Sequence, residues 1–392
     1  MIDEVRKLQK EIVKNRRYLH KHAETGFDLD KTVAFVWKRL ETYGYQPKKC
    51  GKAGVVAEIG KGDNVVLLRA DMDALPIQEE SGSAFACLNG NMHACGHDLH
   101  TAMLLGAAKY LKTREKQLKG RVRLLFQPAE EILQGAKDAV QAGALKNVRA
   151  AAMIHVMTAT PLKTGTIVVG SGGAGAPAAD FFTITVRGKS CHGSAPQNGV
   201  DALTAAAYIL LALQEIPARE ISVAQPAVLT VGSLQGGTAG NVLAERAELK
   251  GTLRAFDEDV RELVKKRLCE LAEGIATSFR AKAEVRFDSG CPVLWNDEKV
   301  SMAAESGLKA AFGAEWVCNS KELTGGVAAR SGGSEDFAYI SREVPSVMLA
   351  WAAGDSDKGY EYPLHHPKVA FDESVLWRGS AAYAQAAFFL FE

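Results

Sequence analysis

The stretch that decides the organisation of this chain is Asn91-Met-His-Ala-Cys-Gly-His-Asp-Leu-His100. Its ten residues contain three of the nine histidines, one cysteine and one aspartate. Residues 101–111 follow directly as an apolar run at helical spacing. Side chains that can donate electron pairs, placed in a loop before a helix, are typical of a metal site or a nucleophile site. At this point both remain open.

The length of 392 residues fits two domains better than one core. The 47 basic and 46 acidic residues nearly cancel, so we expect neither nucleic acid nor an anionic membrane as a partner. The charged N-terminus lacks the apolar core of a signal peptide, and no apolar run approaches the roughly 20 residues that span a bilayer. The seven scattered cysteines are typical of reduced thiols. We therefore predict a cytoplasmic protein.

Strands and helices alternate through the first part of the chain. Residues 64–70 contain Val65-Val66-Leu67-Leu68, a continuous apolar run suited to a strand buried on both faces. Other predicted strands lie at residues 54–59, 121–126 and 150–156, with helices at 31–43, 101–111 and 134–142. This alternation predicts an α/β fold with a mostly parallel sheet and helices on both faces.

The pattern changes after residue 178. Strands and helices are predicted in the order β-α-β-β-α-β, at residues 181–186, 201–213, 227–232, 245–255, 258–279 and 283–287. This order defines a ferredoxin-like α+β unit. We therefore predict a discontinuous catalytic domain, residues 1–177 and 293–392, with an inserted domain at residues 178–292. The catalytic domain resumes with a helix at 298–312, a glycine- and alanine-rich loop at 325–333, a strand at 344–350 and a helix at 374–389.

Several donor side chains lie at predicted strand ends or in loops. Gly96 allows a tight turn, so that Cys95 and His97 can face the same point. Glu130 and Glu131 follow the strand at 121–126. The set is completed by His155 near a strand end and by His365-His366 before a proline. Cysteine, histidine and glutamate together suit two cations of the zinc or manganese kind, which activate a water and polarise a carbonyl. One glutamate would bind metal and the other would act as general base.

Two other interpretations compete with a metal centre. Cys95 would be a nucleophile with His97 or His100 as its base, but this leaves the glutamates, His155 and His365 unexplained. Residues 170–175 match the dinucleotide-binding pattern G-x-G-x-x-G. That function needs a helix at this point and an acidic residue about 20 positions later. A proline and a predicted strand follow instead, so we interpret residues 170–175 as a flexible hinge.

Motifs along nearly the whole chain resemble the di-metal aminoacylase/carboxypeptidase family of hydrolases. The resemblance is strongest to the amidohydrolase branch, which includes hippurate hydrolases, indoleacetyl-amino-acid hydrolases and N-acetyl-diaminopimelate deacetylases. The motifs are Arg17-Tyr-Leu-His20, Arg69-Ala-Asp-Met-Asp-Ala-Leu-Pro76, Met92-His-Ala-Cys-Gly-His-Asp98, Phe126-Gln-Pro-Ala-Glu-Glu131, His192-Gly193, Asn241-Val242, Gly251-Thr-Leu-Arg254, Ser334-Glu-Asp-Phe337 and Leu364-His-His-Pro367.

This resemblance implies a role for each matching residue. The implied metal ligands are Cys95, His97, Glu131, His155 and His365. Glu130 matches the catalytic base, and Asp73 matches a carboxylate that orients the site. His192 matches a histidine of the inserted domain that helps to stabilise the oxyanion. In the family this histidine often reaches the active site of a neighbouring subunit. Asn241 and Arg254 would hold the substrate, and Arg254 would bind the carboxylate of the substrate.

The implied function is the hydrolysis of N-acyl amino acids or short peptide-like amides with two divalent metal ions. We expect zinc or manganese in preference to cobalt or nickel. The inserted domain would serve as a lid and would form a homodimer or homotetramer. Two stretches depart from the family pattern, Ile132-Leu133 where glycines are usual and the glycine-rich residues 170–175. Both would reshape the acyl pocket. A non-catalytic amino-acid or peptide binder is the alternative from another class.

Overall fold

The computed structural model describes residues 1–323 and 333–392, which form two compact units. The first unit contains Met1–Gly175, residues 294–323 and Glu335–Glu392. The second unit contains Ala176–Val293 with residues 333 and 334. The predicted glycine- and alanine-rich loop at 325–333 lies outside the described residues except for Gly333.

The elements follow one another in three blocks. The first block contains α1 (Ile2–Arg6), α2 (Gln9–Lys21), α3 (Asp30–Thr42), β1 (Lys48–Cys50), β2 (Gly54–Gly60), β3 (Val65–Asp71), α4 (His97–Thr113), β4 (Arg121–Gln127), α5 (Gly135–Gln141), β5 (Val148–Met157), β6 (Ile167–Val169) and β7 (Gly173–Ala176). The second block contains β8 (Ala178–Arg187), α6 (Ala202–Leu213), β9 (Ala227–Gly236), β10 (Arg246–Ala255), α7 (Glu258–Ser278) and β11 (Lys282–Cys291). The third block contains β12 (Leu294–Asn296), α8 (Glu298–Phe312), β13 (Val317–Asn319), α9 (Ser320–Leu323), α10 (Ala338–Ser341), β14 (Ser346–Ala352) and α11 (Leu376–Phe389).

An eight-stranded sheet in the order β1-β2-β4-β3-β5-β14-β6-β13 forms the centre of the first unit. Strands β4, β3, β5 and β14 run parallel to one another, while β1, β2 and β6 each have antiparallel neighbours. Every residue of β3 is buried, as the apolar run in the sequence predicts. The predicted α/β class with a mostly parallel sheet is therefore confirmed.

Helix α4 is buried over most of its length because it lies against strand β3 and helices α2 and α11. This explains why its sequence is apolar on nearly all sides rather than on one stripe. The helix begins at His97, so the decisive stretch of sequence lies where a buried helix meets the sheet. A buried helix fixes the position of its first residues.

The second unit is a four-stranded antiparallel sheet in the order β11-β8-β10-β9, with α6 and α7 packed against it. Its chain order β8-α6-β9-β10-α7-β11 confirms the predicted ferredoxin-like arrangement. Asp201 and Asp257 cap the two helices by accepting hydrogen bonds from backbone N–H groups of the first turns. The core contains Phe182, Ile184, Leu249, Leu253, Val264 and Leu268.

The predicted hinge at residues 170–175 contains a strand in its second half, and the division between the two units falls directly after it. Residues 173–176 form strand β7, which pairs with β12. A Cβ atom would lie 2.5 Å from Asn296 Nδ2 at Gly170 and 2.6 Å from it at Gly175. These glycines therefore permit close packing.

None of the helices within residues 1–323 and 333–392 is both long and apolar enough to cross a membrane.

Candidate metal centre

The donor residues of the first unit come from the carboxyl ends of neighbouring parallel strands. Strands β4, β3 and β5 lie side by side, so the residues that follow them share one edge of the sheet. Asp71 ends β3, Glu130 and Glu131 follow β4, and His155 lies near the end of β5. Ligands of open α/β sheets bind at this edge.

Gly96 sets the geometry of Cys95 and His97. Its φ of 83° is in the left-handed region, and a Cβ atom there would lie 2.4 Å from Val156 Cγ2. Only glycine fits this turn, on both conformational and steric grounds. The turn starts α4 at His97 and places Cys95 Sγ 3.5 Å from His155 Nε2.

His365 joins the cluster from the C-terminal part of the chain. Its backbone N–H donates a 2.9 Å hydrogen bond to the carbonyl of Ala94, and its own φ is 66°. The Nε2 atom lies 3.6 Å from Glu131 Oε2. In each of the trios Cys95–His97–His155 and Cys95–Glu131–His365, the potential ligand atoms lie within 4.8 Å of one another. The structure thus brings together all five side chains that the resemblance assigns as ligands.

The hydrogen bonds of His97 and His155 leave one nitrogen of each ring for a cation. His97 Nδ1 donates to the Asp73 carbonyl at 2.9 Å, and His155 Nδ1 donates to the Val156 carbonyl at 2.7 Å. Because a carbonyl oxygen only accepts, each Nδ1 carries a proton, and in the neutral ring each Nε2 keeps its lone pair. His97 Nε2 and Glu131 Oε1 are buried and have no hydrogen-bond partner among the described residues. Unpaired buried donors of this kind fit a bound metal ion.

The charge around the cluster is strongly negative. Burial raises the pKa of Glu130 well above its usual range, and Glu335 and Glu131 raise it further. Burial raises the pKa of Glu131 to about 7. For His97, burial alone would lower the pKa, but Asp71 and Asp73 outweigh it and raise the pKa. The acidic side chains around His97 therefore favour positive charge at this site, and bound divalent cations would supply it.

Asp73 orients both glutamates. Its two carboxylate oxygens accept hydrogen bonds from the backbone N–H groups of Glu130 and Glu131, at 3.0 and 3.1 Å. Its carbonyl also holds His97. One buried residue thus fixes three members of the cluster.

A buried arginine pairs with three acidic residues around the site, and sequence reasoning missed its role. Arg69 pairs with Asp71 at 2.7 Å, with Asp336 at 2.8 Å and with Glu335 at 2.9 Å. Asp336 in turn accepts a 2.8 Å hydrogen bond from the backbone N–H of Ala136. The only sequence signal was that these residues belong to the motifs at 69–76 and 334–337.

His100 links the sheet to the histidine ligands without offering a free nitrogen. Its Nδ1 donates to Asp71 Oδ1 at 2.5 Å, and its Nε2 accepts from the backbone N–H of Val156 at 2.8 Å. With both nitrogens engaged, His100 cannot bind a metal in this arrangement. It lies beside His155, with ring centroids 4.7 Å apart.

The other predicted site residues lie in the second unit. His192 is exposed, and its Nδ1 accepts from the backbone N–H and the hydroxyl of Ser194 at 3.1 and 2.8 Å. The backbone of Asn241 lies beside it, because Gly193 N–H donates to the Asn241 carbonyl at 2.7 Å. Arg254 donates to the hydroxyl of Ser334 at 2.7 Å.

Comparison with known proteins identifies the family of this chain. The model of peptidase family M20/M25/M40 matches residues 67–388. An N-acetyl-L-cysteine deacetylase of Bacillus subtilis (strain 168) is 37% identical over 98% of this chain and 88% of its own length. An N-acyl-L-amino acid amidohydrolase of Geobacillus stearothermophilus is 39% identical over 79% of this chain and 84% of its own. The chain therefore belongs to peptidase family M20/M25/M40, as the motifs predicted.

A solved structure extends the comparison to the fold. The Bacillus subtilis YXEP protein, described as a dinuclear metal binding peptidase from the M20 family, superposes with a TM-score of 0.78 at 33% identity. The match covers 97% of this chain and 98% of that protein.

Proposed function

We propose that this protein is a metal-dependent amidohydrolase that cleaves the amide bond of N-acyl amino acids or of short peptide-like amides. The observation that carries the proposal is the cluster of thiol, imidazole and carboxylate donors, buried at Cys95 and His97 and open at His365, with Glu130 beside it. The relatives named as a deacetylase and an amidohydrolase support the reaction class.

Two divalent ions would be held by Cys95, His97, Glu131, His155 and His365. Because a thiolate is a soft ligand, we favour zinc, with manganese next and cobalt or nickel possible. Burial and Glu131 raise the pKa of the Cys95 thiol, so a cation is needed to hold it as a thiolate. When bound, such ions supply the Lewis acidity that activates water and polarises the scissile carbonyl.

The proton transfers are assigned to Glu130. Its carboxylate takes a proton from the attacking water and delivers it to the leaving amine. A raised pKa makes the Glu130 carboxylate a stronger base toward the water proton. Asp73 keeps the backbone of Glu130 in place. We propose that three residues of the second unit also take part. His192 stabilises the oxyanion, Asn241 holds the substrate, and Arg254 binds the carboxylate of the substrate.

Replacing the proposed base tests the mechanism. We expect Glu130→Gln to retain metal, measured by elemental analysis, and to lower kcat on N-acetyl amino acids by roughly 10²- to 10⁴-fold. The matched control is Glu343→Gln, which changes an exposed glutamate. Turnover by Glu130→Gln at the wild-type level would exclude Glu130 as the base.

Metal removal separates the other interpretations. If Cys95 were a nucleophile, activity would survive complete removal of metal by a chelator. If the chain were a non-catalytic binder, it would bind N-acyl amino acids without turning any of them over. The proposed function requires that activity is lost on chelation and restored by zinc or manganese.

We also propose that the protein forms a homodimer or homotetramer through the second unit. Strand β9 is at the edge of its sheet, and helix α6 exposes Leu203, Tyr208 and Leu211, the last with 68% of its surface accessible. An open edge strand beside an apolar helix face is typical of a protein interface. Leu211→Glu should shift the mass measured by light scattering toward the monomer. An unchanged mass would contradict this interface.

A further inference from the structure

The loop between β4 and α5 carries the catalytic glutamates in an unusual backbone conformation. Ala129 and Leu133 have φ values of 56° and 55°, in the left-handed region that normally favours glycine. The N–H groups of Leu133 and Gln134 close the loop by donating to the carbonyls of Glu130 and Ala129, at 2.7 and 3.2 Å. Strain of this kind is concentrated at functional sites, where the surrounding structure holds it in place.

The two apolar residues after Glu131 have different environments. Leu133 is only 6% exposed and anchors the loop in the protein, whereas Ile132 is 43% exposed. Gly26 is a neighbour of Ile132, because a Cβ atom built on it would lie 3.8 Å from Ile132 Cδ1. Gly26 itself has no side chain that could cover Ile132. The anchored loop thus exposes a branched apolar side chain on the residue that directly follows the proposed metal ligand Glu131 in the chain.

We propose that Ile132 determines substrate specificity by contacting an apolar group of the substrate next to the scissile amide. This inference rests on the proposed function. The substrates it favours are N-acyl amino acids in which the acyl group or the amino-acid side chain is a hydrocarbon of several carbons. Each methylene group that such a contact removes from water strengthens transition-state binding roughly fourfold. A contact covering one or two methylene groups is therefore worth about tenfold in kcat/KM.

Two substrate series test the proposal. The first lengthens the acyl chain from acetyl to hexanoyl on one amino acid, and the second enlarges the amino acid from glycine to leucine under one acetyl group. We expect wild-type kcat/KM to rise with size in at least one series. In Ile132→Ser the preference for the largest over the smallest member of that series should fall about tenfold, while Ile132→Val should keep most of it.

The control is Met302→Ser, which removes an exposed apolar side chain from α8. Circular dichroism melting of each variant shows that the fold is retained. If the wild type hydrolyses the panel and Ile132→Ser keeps the wild-type preference in both series, the role of Ile132 is refuted and the proposed function stands. If the metal-loaded wild type hydrolyses no member, the proposed function fails and the inference fails with it.

Discussion

His100 offers a direct test of how the metal ligands are positioned. His100→Leu keeps an apolar body in the buried site but removes both hydrogen bonds, at 2.5 Å to Asp71 and at 2.8 Å from the Val156 N–H. The buried Val156 N–H is then left without a partner, which costs about 1–3 kcal/mol. Because Val156 follows His155 directly, this cost falls on the end of β5 that aims His155 Nε2 toward Cys95.

The expected magnitude follows from these contacts. Losing a group that supports a metal-binding histidine typically weakens metal affinity 10- to 100-fold. We expect that loss for His100→Leu, together with a decrease of about 1–3 kcal/mol in the free energy of unfolding of the metal-free protein. His100→Gln can still donate to Asp71 and accept from Val156, so it should lose less of both.

The assay is competition for metal between the metal-free protein and a chromophoric chelator. Cobalt provides a second measurement, because the cobalt–thiolate absorption band reports whether Cys95 is bound in the same geometry. The matched control is His22→Leu, which removes a histidine at the C-terminal end of α2 whose Nδ1 donates to the Tyr18 carbonyl at 2.7 Å. If His100→Leu binds zinc within twofold of wild type and shows the same cobalt band, His100 does not position the ligands.

Two further predictions concern stability. Gly96→Ala should lower the free energy of unfolding by roughly 2–4 kcal/mol, because it combines a left-handed φ with a 2.4 Å clash against Val156. A denaturant titration measures this loss. A loss under 0.5 kcal/mol would contradict the steric argument. Burial alone would raise the pKa of Glu11, but Lys109 and Tyr43 outweigh it and lower the pKa. Its stabilising effect is therefore present above a pH of about 4 and is lost as the pH falls through the lowered pKa. Glu11→Gln should melt at a lower temperature than wild type at pH 7, by an amount that shrinks toward pH 3, whereas a difference independent of pH would exclude the ion pair as its cause.

Much of the fold follows from local sequence patterns. The apolar run at Val65–Asp71, the apolar helix from His97 and the β-α-β-β-α-β order are all visible in the periodicity of hydrophobic residues. Periodicity works for these elements because burial selects side chains at the period of the helix or strand. It did not predict strands β1 and β13, which are three residues each and lie at the two edges of the sheet.

The sequence by itself determined the family and predicted the donor set, because the motifs contain the ligand types in a recognisable order. Only the tertiary structure decided which nitrogen of His97 is free, that His100 has none, and that Arg69 links Asp71 to Glu335 and Asp336. These facts depend on contacts between residues up to 267 positions apart. The physical reason is that hydrogen-bond geometry and desolvation are set by the atoms that surround a group, and folding chooses those atoms from distant parts of the chain.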